Sequence, residues 1–249
     1  MRLGFILLAP AMLWAQASTP APRTDHNSMV AHEQLLEKRT KGTIDLYFEG
    51  DSIARRWGAT DYPDFLVNWN RNFHGWNAAD FGWGADKVEN ILWRLEHGEL
   101  DDVNPKVIVL LAGTNNVGAR GEIADISDGL QAVISTMKAK APHATIVVTA
   151  IFPRNDKMEY MRVIDGVNER LSKMADGRTV RFLNVNDKLA DAGGVLFEGM
   201  MNARDKLHPT EKGYQVWADG LRPILTELLG APKAEDHAPP PTGDPSAKK

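Results

Sequence analysis

Cysteine is missing from all 249 residues. That excludes disulfide frameworks, thiolate nucleophiles and Cys-ligated zinc, although it fixes no compartment. Cationic excess is missing too. There are 29 Lys and Arg against 33 Asp and Glu, a net charge of −4 with His neutral. No basic surplus is available to draw in nucleic acid, and no polybasic run to hold an anionic membrane. Internal repeats are absent, as is any G-x-x-x-x-G-K-[ST] phosphate loop. The chain is otherwise ordinary, 43% hydrophobic and 25% charged, so disordered, collagen-like and coiled-coil classes are out. At this length one domain is expected, burying about three-quarters of its unfolded surface.

The ends read differently from the middle. Met1-Arg2, an apolar run over residues 3–14, and small residues at Ala15 and Ala17 make the pattern of an export leader, with cleavage expected after Ala17. The run is too short for a bilayer core of about 30 Å, and Pro10 interrupts it. A cleaved leader over residues 1–17 and a secreted or periplasmic enzyme are therefore expected, without a stable membrane anchor. Residues 18–28 read as a polar linker. Residues 231–249, rich in Pro, Ala and charge, offer little apolar surface to offset ordering entropy and are expected to form a disordered tail. That leaves 29–230 as the folded body.

Inside the body, β-prone runs alternate with amphipathic ones. Strands are expected over 44–49 (IDLYFE), 78–81, 107–111 (VIVLL), 146–150 (IVVTA) and 180–185. Helices are expected over 86–97, 123–140, 161–174 and 211–229, the first two from apolar residues at helical spacing. Strand–helix alternation with buried runs implies a parallel five-stranded sheet covered on both faces. In such sheets, sites lie beyond the C-terminal ends of the strands.

The turns at those ends are chemically loaded. Gly50-Asp51-Ser52 ends the first strand, where a hydroxyl at a strand-to-helix turn can act as a nucleophile. It is not the G-x-S-x-G elbow, because Ala54 occupies the second glycine position. A serine needs a base, and Asp205-Lys206-Leu207-His208-Pro209 supplies an imidazole with a carboxylate three residues earlier, within reach of the ring. Pro209 suits the first position of the closing helix. Gly113-Thr114-Asn115-Asn116 offers a carboxamide donor for an oxyanion. Phe81-Gly82-Trp83-Gly84-Ala85-Asp86 can turn backbone N–H groups into the same place, with Asp86 capping the next helix. No third ligand of matching spacing accompanies the Asp–His pair, so no metal is expected.

These four segments resemble the blocks of the GDSL, or SGNH, hydrolase superfamily over residues 44–225. Residues 80–116 and 207–221 look most like the catalytic subunits of platelet-activating-factor acetylhydrolase and their bacterial relatives. The resemblance implies a flavodoxin-like three-layer α/β/α fold and ester hydrolysis without metal or organic cofactor. It implies Ser52 as nucleophile, His208 as base then acid and Asp205 as its orienter. The Ser52 N–H, Asn115 and the Ala85 N–H would make the oxyanion hole. Ala85 stands where the family has glycine, with Gly84 as the fallback donor. Asp51, Trp83 and Asn116 are expected on the substrate side, and Trp57, Trp69 and Trp76 are expected in the core ahead of a sugar-stacking role. The expected substrate is a short-chain ester, an acetylated carbohydrate or a small ester. A lysophospholipase or thioesterase is the competing enzyme, and a non-catalytic glycan-binding module the competing binder. Oligomeric state is left open.

Overall fold

The protein is described from a computed structural model that covers residues 16–247. All but the last two residues of the expected leader lie outside the described residues. Five parallel strands run β1 (Leu46–Gly50), β2 (Ala78–Asp80), β3 (Val107–Leu111), β4 (Thr145–Thr149) and β5 (Val180–Leu183) in chain order. In space the order is β2-β1-β3-β4-β5, the doubly wound, flavodoxin-like arrangement. β1 and β3 are buried along their whole length, which their unbroken apolar character requires of a sheet covered on both faces.

Among the described residues, eight α-helices complete the layers: α1 (His26–Lys38), α2 (Ser52–Gly58), α3 (Pro63–Phe73), α4 (Val88–Arg94), α5 (Thr114–Gly118), α6 (Ile123–Lys140), α7 (Met161–Met174) and α8 (Glu211–Leu229). One core joins α4, α6 and α7 to one face of the sheet through residues such as Ile91, Leu130, Val133 and Ile164. The other joins α2, α3 and α8 to the opposite face. Trp57, Trp69, Trp76 and Trp217 form its aromatic centre with Phe48 and Phe73. The core placement expected for Trp57, Trp69 and Trp76 is the one observed: they are 0%, 6% and 3% exposed. Their apolar area outweighs anything a surface platform offers, and two indole N–H groups are satisfied inside, Trp57 by Asn68 and Trp76 by the Gly230 carbonyl.

Four sequence expectations change. α1 and α3 were not anticipated. The 18–28 segment is part of the body: Asp25 caps α1 through the Ser28 N–H, the Ala21 N–H donates to the Glu89 carbonyl, and Ala17 is buried against α6 with its N–H on Asp125. The expected helix 86–97 loses its end to a wide turn over 95–99, where Gly98 takes φ +106°. The described part of the expected tail, 231–247, is laid against the β2 side of the body. The Lys233 N–H donates to the Gly75 carbonyl, Asp236 accepts from the Gly75 N–H, and His237 bonds both Asn77 and the Thr43 N–H. Thr60 N–H closes the run on the Thr242 carbonyl. Counting apolar residues missed these contacts because polar and backbone groups make them. Ending the chain after Gly230 should lower Tm by several degrees, at about 2–4 °C per kcal/mol lost for a domain of this size. An unchanged melting curve would return the segment to a free tail.

Candidate active site

β1 and β3 are neighbours with Gly50 opposite Leu111. The turns that leave their C-terminal ends therefore emerge side by side at the switch point of the sheet, where doubly wound folds open a crevice. Ser52 starts α2 on one turn, and Asn115 sits in α5 on the other. Close approach makes this possible: a Cβ at Gly82 would meet the Arg55 backbone nitrogen at 2.6 Å, and Gly113 holds φ +113° to turn β3 into α5.

Ser52 Oγ lies 2.9 Å from His208 Nε2, and His208 Nδ1 lies 2.8 Å from Asp205 Oδ2. The hydroxyl, imidazole and carboxylate expected from sequence are thus brought into one line across 156 residues. Asp205 Oδ1 accepts from the Leu207 and His208 N–H groups at 3.0 Å each. Burial alone would raise the Asp205 carboxyl, but those amides and the ring outweigh it and hold it below the ordinary carboxylate value. Burial pulls His208 below the ordinary imidazole value. The Asp205 hydrogen bond opposes that shift and the nearby Arg56 charge adds to it.

The loop carrying the pair is pinned by backbone. Asn202 N–H donates to the His208 carbonyl, Lys206 N–H to the Asn202 carbonyl, and Asn155 N–H to the Lys206 carbonyl. Lys206 takes φ +51° to close it. Thr210 caps α8, so Pro209 precedes the cap and does not open the helix as the sequence suggested.

Asn115 Nδ2 donates to the Asp86 carbonyl at 2.8 Å. That bond ties Asn115 to the turn after β2, and Nδ2 donates no second hydrogen bond among the described residues. Ala85 is exposed, and neither its N–H nor that of Ser52 donates to an acceptor among the described residues. The departure at Ala85 has a conformational cost: its φ is +64°, the left-handed region that disfavours a Cβ by roughly 1–2 kcal/mol. Gly84 has open space around a Cβ position, and its carbonyl accepts from Arg23.

Two substrate-side expectations are corrected. Asp51 is 1% exposed and caps α2 through the Ile53 N–H at 2.9 Å. Burial lifts its carboxyl to about 7, the Ile53 hydrogen bond offsetting only part of that. Asn116 is 5% exposed, accepting from the Val88 N–H and donating to Glu89 Oε2. Both hold the frame and neither faces substrate; residue type and strand-end position alone do not tell inward from outward. Trp83 is half-buried, its indole N–H on Ser28 Oγ and its ring 4.8 Å from the Arg55 guanidinium carbon. It joins α1 to the site's border.

Arg94 was missed. Its guanidinium is buried and reaches Asp86 at 2.7 Å, Glu49 at 2.7 Å, the Phe81 carbonyl at 3.0 Å and Glu99. The signal that could have found it was Glu49, an acid inside an apolar strand, which demands a buried cation.

The chain matches the model of the GDSL-like Lipase/Acylhydrolase family over residues 48–216. It is 27% identical over 236 residues to platelet-activating factor acetylhydrolase IB subunit alpha1 of Bos taurus, covering 92% of this chain and 97% of the relative. Among solved structures it is similar to a GDSL-like lipase from Bacteroides thetaiotaomicron (TM-score 0.66, 16% identity, 80% and 100% of the two chains covered). It also resembles a carbohydrate esterase family 3 protein from Talaromyces cellulolyticus (TM-score 0.56, 16% identity, 75% and 98% covered). Fold and site thus define an esterase or acylhydrolase. The protein belongs to the GDSL-like lipase/acylhydrolase family.

Replacing Ala85 by glycine should raise stability by about 1 kcal/mol, read as a higher urea midpoint. A lower midpoint would mean that Ala85 is unstrained.

Proposed function

We propose that the protein is an exported serine esterase that hydrolyses short-chain esters, acetyl esters of carbohydrates or small alcohols foremost. The carrying observation is the Ser52–His208–Asp205 line, with contacts of 2.9 and 2.8 Å. Ser52 Oγ attacks the ester carbonyl carbon while His208 Nε2 takes its proton. The resulting oxyanion meets the Ser52 N–H, the second Asn115 amide proton and the Ala85 N–H. His208 returns the proton to the departing alkoxide, leaving an acyl-Ser52. A water deprotonated by His208 then releases the acid and restores Ser52. Asp205 keeps the ring in the tautomer with Nε2 free and stabilises the imidazolium formed in both steps.

A short acyl group is supported by the Ala85 methyl at the border and by relatives named acetylhydrolase. A carbohydrate alcohol is supported by the carbohydrate-esterase neighbour. The same acetylhydrolase relatives favour a second reading, an acyl ester of a lipid. Export rests on the apolar leader at residues 3–14. Ser52→Ala should remove nearly all hydrolysis of p-nitrophenyl acetate by folded protein, and wild type should cleave the acetate faster than the octanoate. Retained activity in the variant would defeat the serine mechanism, and a preference for octanoate would favour the lipid reading.

Because the base works only when neutral, kcat/KM should rise with pH and then level off. Burial and Arg56 disfavour the imidazolium, so the midpoint should fall below the ordinary imidazole value of 6.5. A profile flat from roughly pH 5 to 8, or a midpoint above that value, would contradict His208 as the base.

A further inference from the structure

Arg56 lies four residues after Ser52, one turn along α2 and on the same helical face. Its guanidinium is 3.9 Å from Asp205 Oδ2 and 5.4 Å from the Tyr62 ring centre. The first distance is too long for a hydrogen bond, and the Asp205 oxygens already serve the His208 ring and two backbone N–H groups. Arg56 donates no hydrogen bond to any described residue, although a quarter of its side chain is exposed.

Three other arginines nearby are engaged. Arg55 holds both oxygens of Asp61 at 3.1 and 2.9 Å. Arg154 holds both oxygens of Asp156 and the Thr114 carbonyl. Arg94 is wrapped by carboxylates. Exposed Arg204 and Lys206 flank Asp205 in its loop. Arg56, Arg204 and Lys206 thus lie around Asp205, whose oxygens are already bonded to the His208 ring and two backbone N–H groups.

Arg56 also has a side. It stands by Asp205 Oδ2, on the Asp205–His208 side of the site. Asn115 and Ala85 stand on the turns after β3 and β2, the oxyanion side. We propose that Arg56 is the specificity-determining residue of this site and receives a carboxylate or phosphate carried by the alcohol portion of the ester. The planar fork of an arginine binds either group through two parallel N–H bonds. This rests on the esterase reading and narrows its substrate class to acidic alcohols.

Three acetyl esters with matched rings test it: 4-acetoxybenzoate, 4-acetoxyphenyl phosphate and the neutral 4-acetoxybenzamide. The readout is the ratio of kcat/KM for each anionic ester to that for the amide, in wild type and in Arg56→Gln at one pH. Comparing ratios cancels leaving-group acidity and any change in His208. The ratio for at least one anionic ester should fall roughly ten- to a hundred-fold in the variant, as charge-assisted hydrogen bonds are lost. In wild type it should fall with added salt, and Arg56→Lys should give an intermediate value. Which ester loses its advantage tells carboxylate from phosphate. Ratios equal in wild type and Arg56→Gln overturn the proposal while leaving the esterase reading intact. If no ester is cleaved, or cleavage survives Ser52→Ala, the esterase reading itself fails.

Discussion

A single buried positive charge holds the two sides of the site in register. Arg94 lies on α4 below the crevice, and its N–H groups reach Glu49 at the end of β1, Asp86 and the Phe81 carbonyl after β2, and Glu99. The Gly50 carbonyl, 3.5 Å away, completes the set and also accepts from the Trp83 N–H. Ser52 comes two residues after Gly50, and the Asp86 carbonyl receives the Asn115 amide. Ser52 and Asn115 are therefore referenced to one guanidinium. Burying such a charge is costly unless every donor is met, and breaking a cluster of this kind typically costs about 3–5 kcal/mol. Burial still raises the Glu49 and Asp86 carboxyls above their ordinary values, the arginine offsetting only part of the cost.

Topology supplies the other half of the precision. Only adjacent strands on either side of the switch point deliver two turns within bonding distance of one reacting atom, and β1 and β3 are that pair. The imidazole comes from much later in the chain, so its loop needs its own ties. Asn155, just after β4, supplies one through the Lys206 carbonyl, and Arg154 beside it holds the Thr114 carbonyl next to Asn115. Left-handed backbone at Ala85 and Lys206, both on catalytic turns, shows where the fold spends conformational energy to aim donors.

Much of this was legible in the residues. Unbroken apolar runs such as VIVLL at 107–111 located the buried strands, and the distinctive turns after them located Ser52, Asn115, Asp205 and His208. The features that the sequence concealed share a cause. Asp51 and Asn116 sit beside catalytic residues in the chain, yet a one-residue step turns a side chain from crevice to interior. α1 and the 231–247 segment are held by caps and backbone bonds that no apolar period reports. Arg94 sits on a helix recognised only by its apolar face, where a long cation reads as a solvated residue unless its acidic partners are already placed.

The charges around the site fall into two kinds. Arg94, Arg154 and Lys38 are buried and matched, by carboxylates or by carbonyls such as that of Asp80. They cannot serve a ligand without surrendering a partner that would then be left unpaired in a low-dielectric interior, where it is most expensive. Arg56 is the contrasting case, one turn after Ser52, a quarter exposed and without a hydrogen-bond partner among the described residues. A ligand that takes its donors breaks no hydrogen bond to a described residue. Arg94 and Arg154 are matched inside, whereas the Arg56 guanidinium donates no hydrogen bond among the described residues, and the proposed substrate selection rests on that contrast.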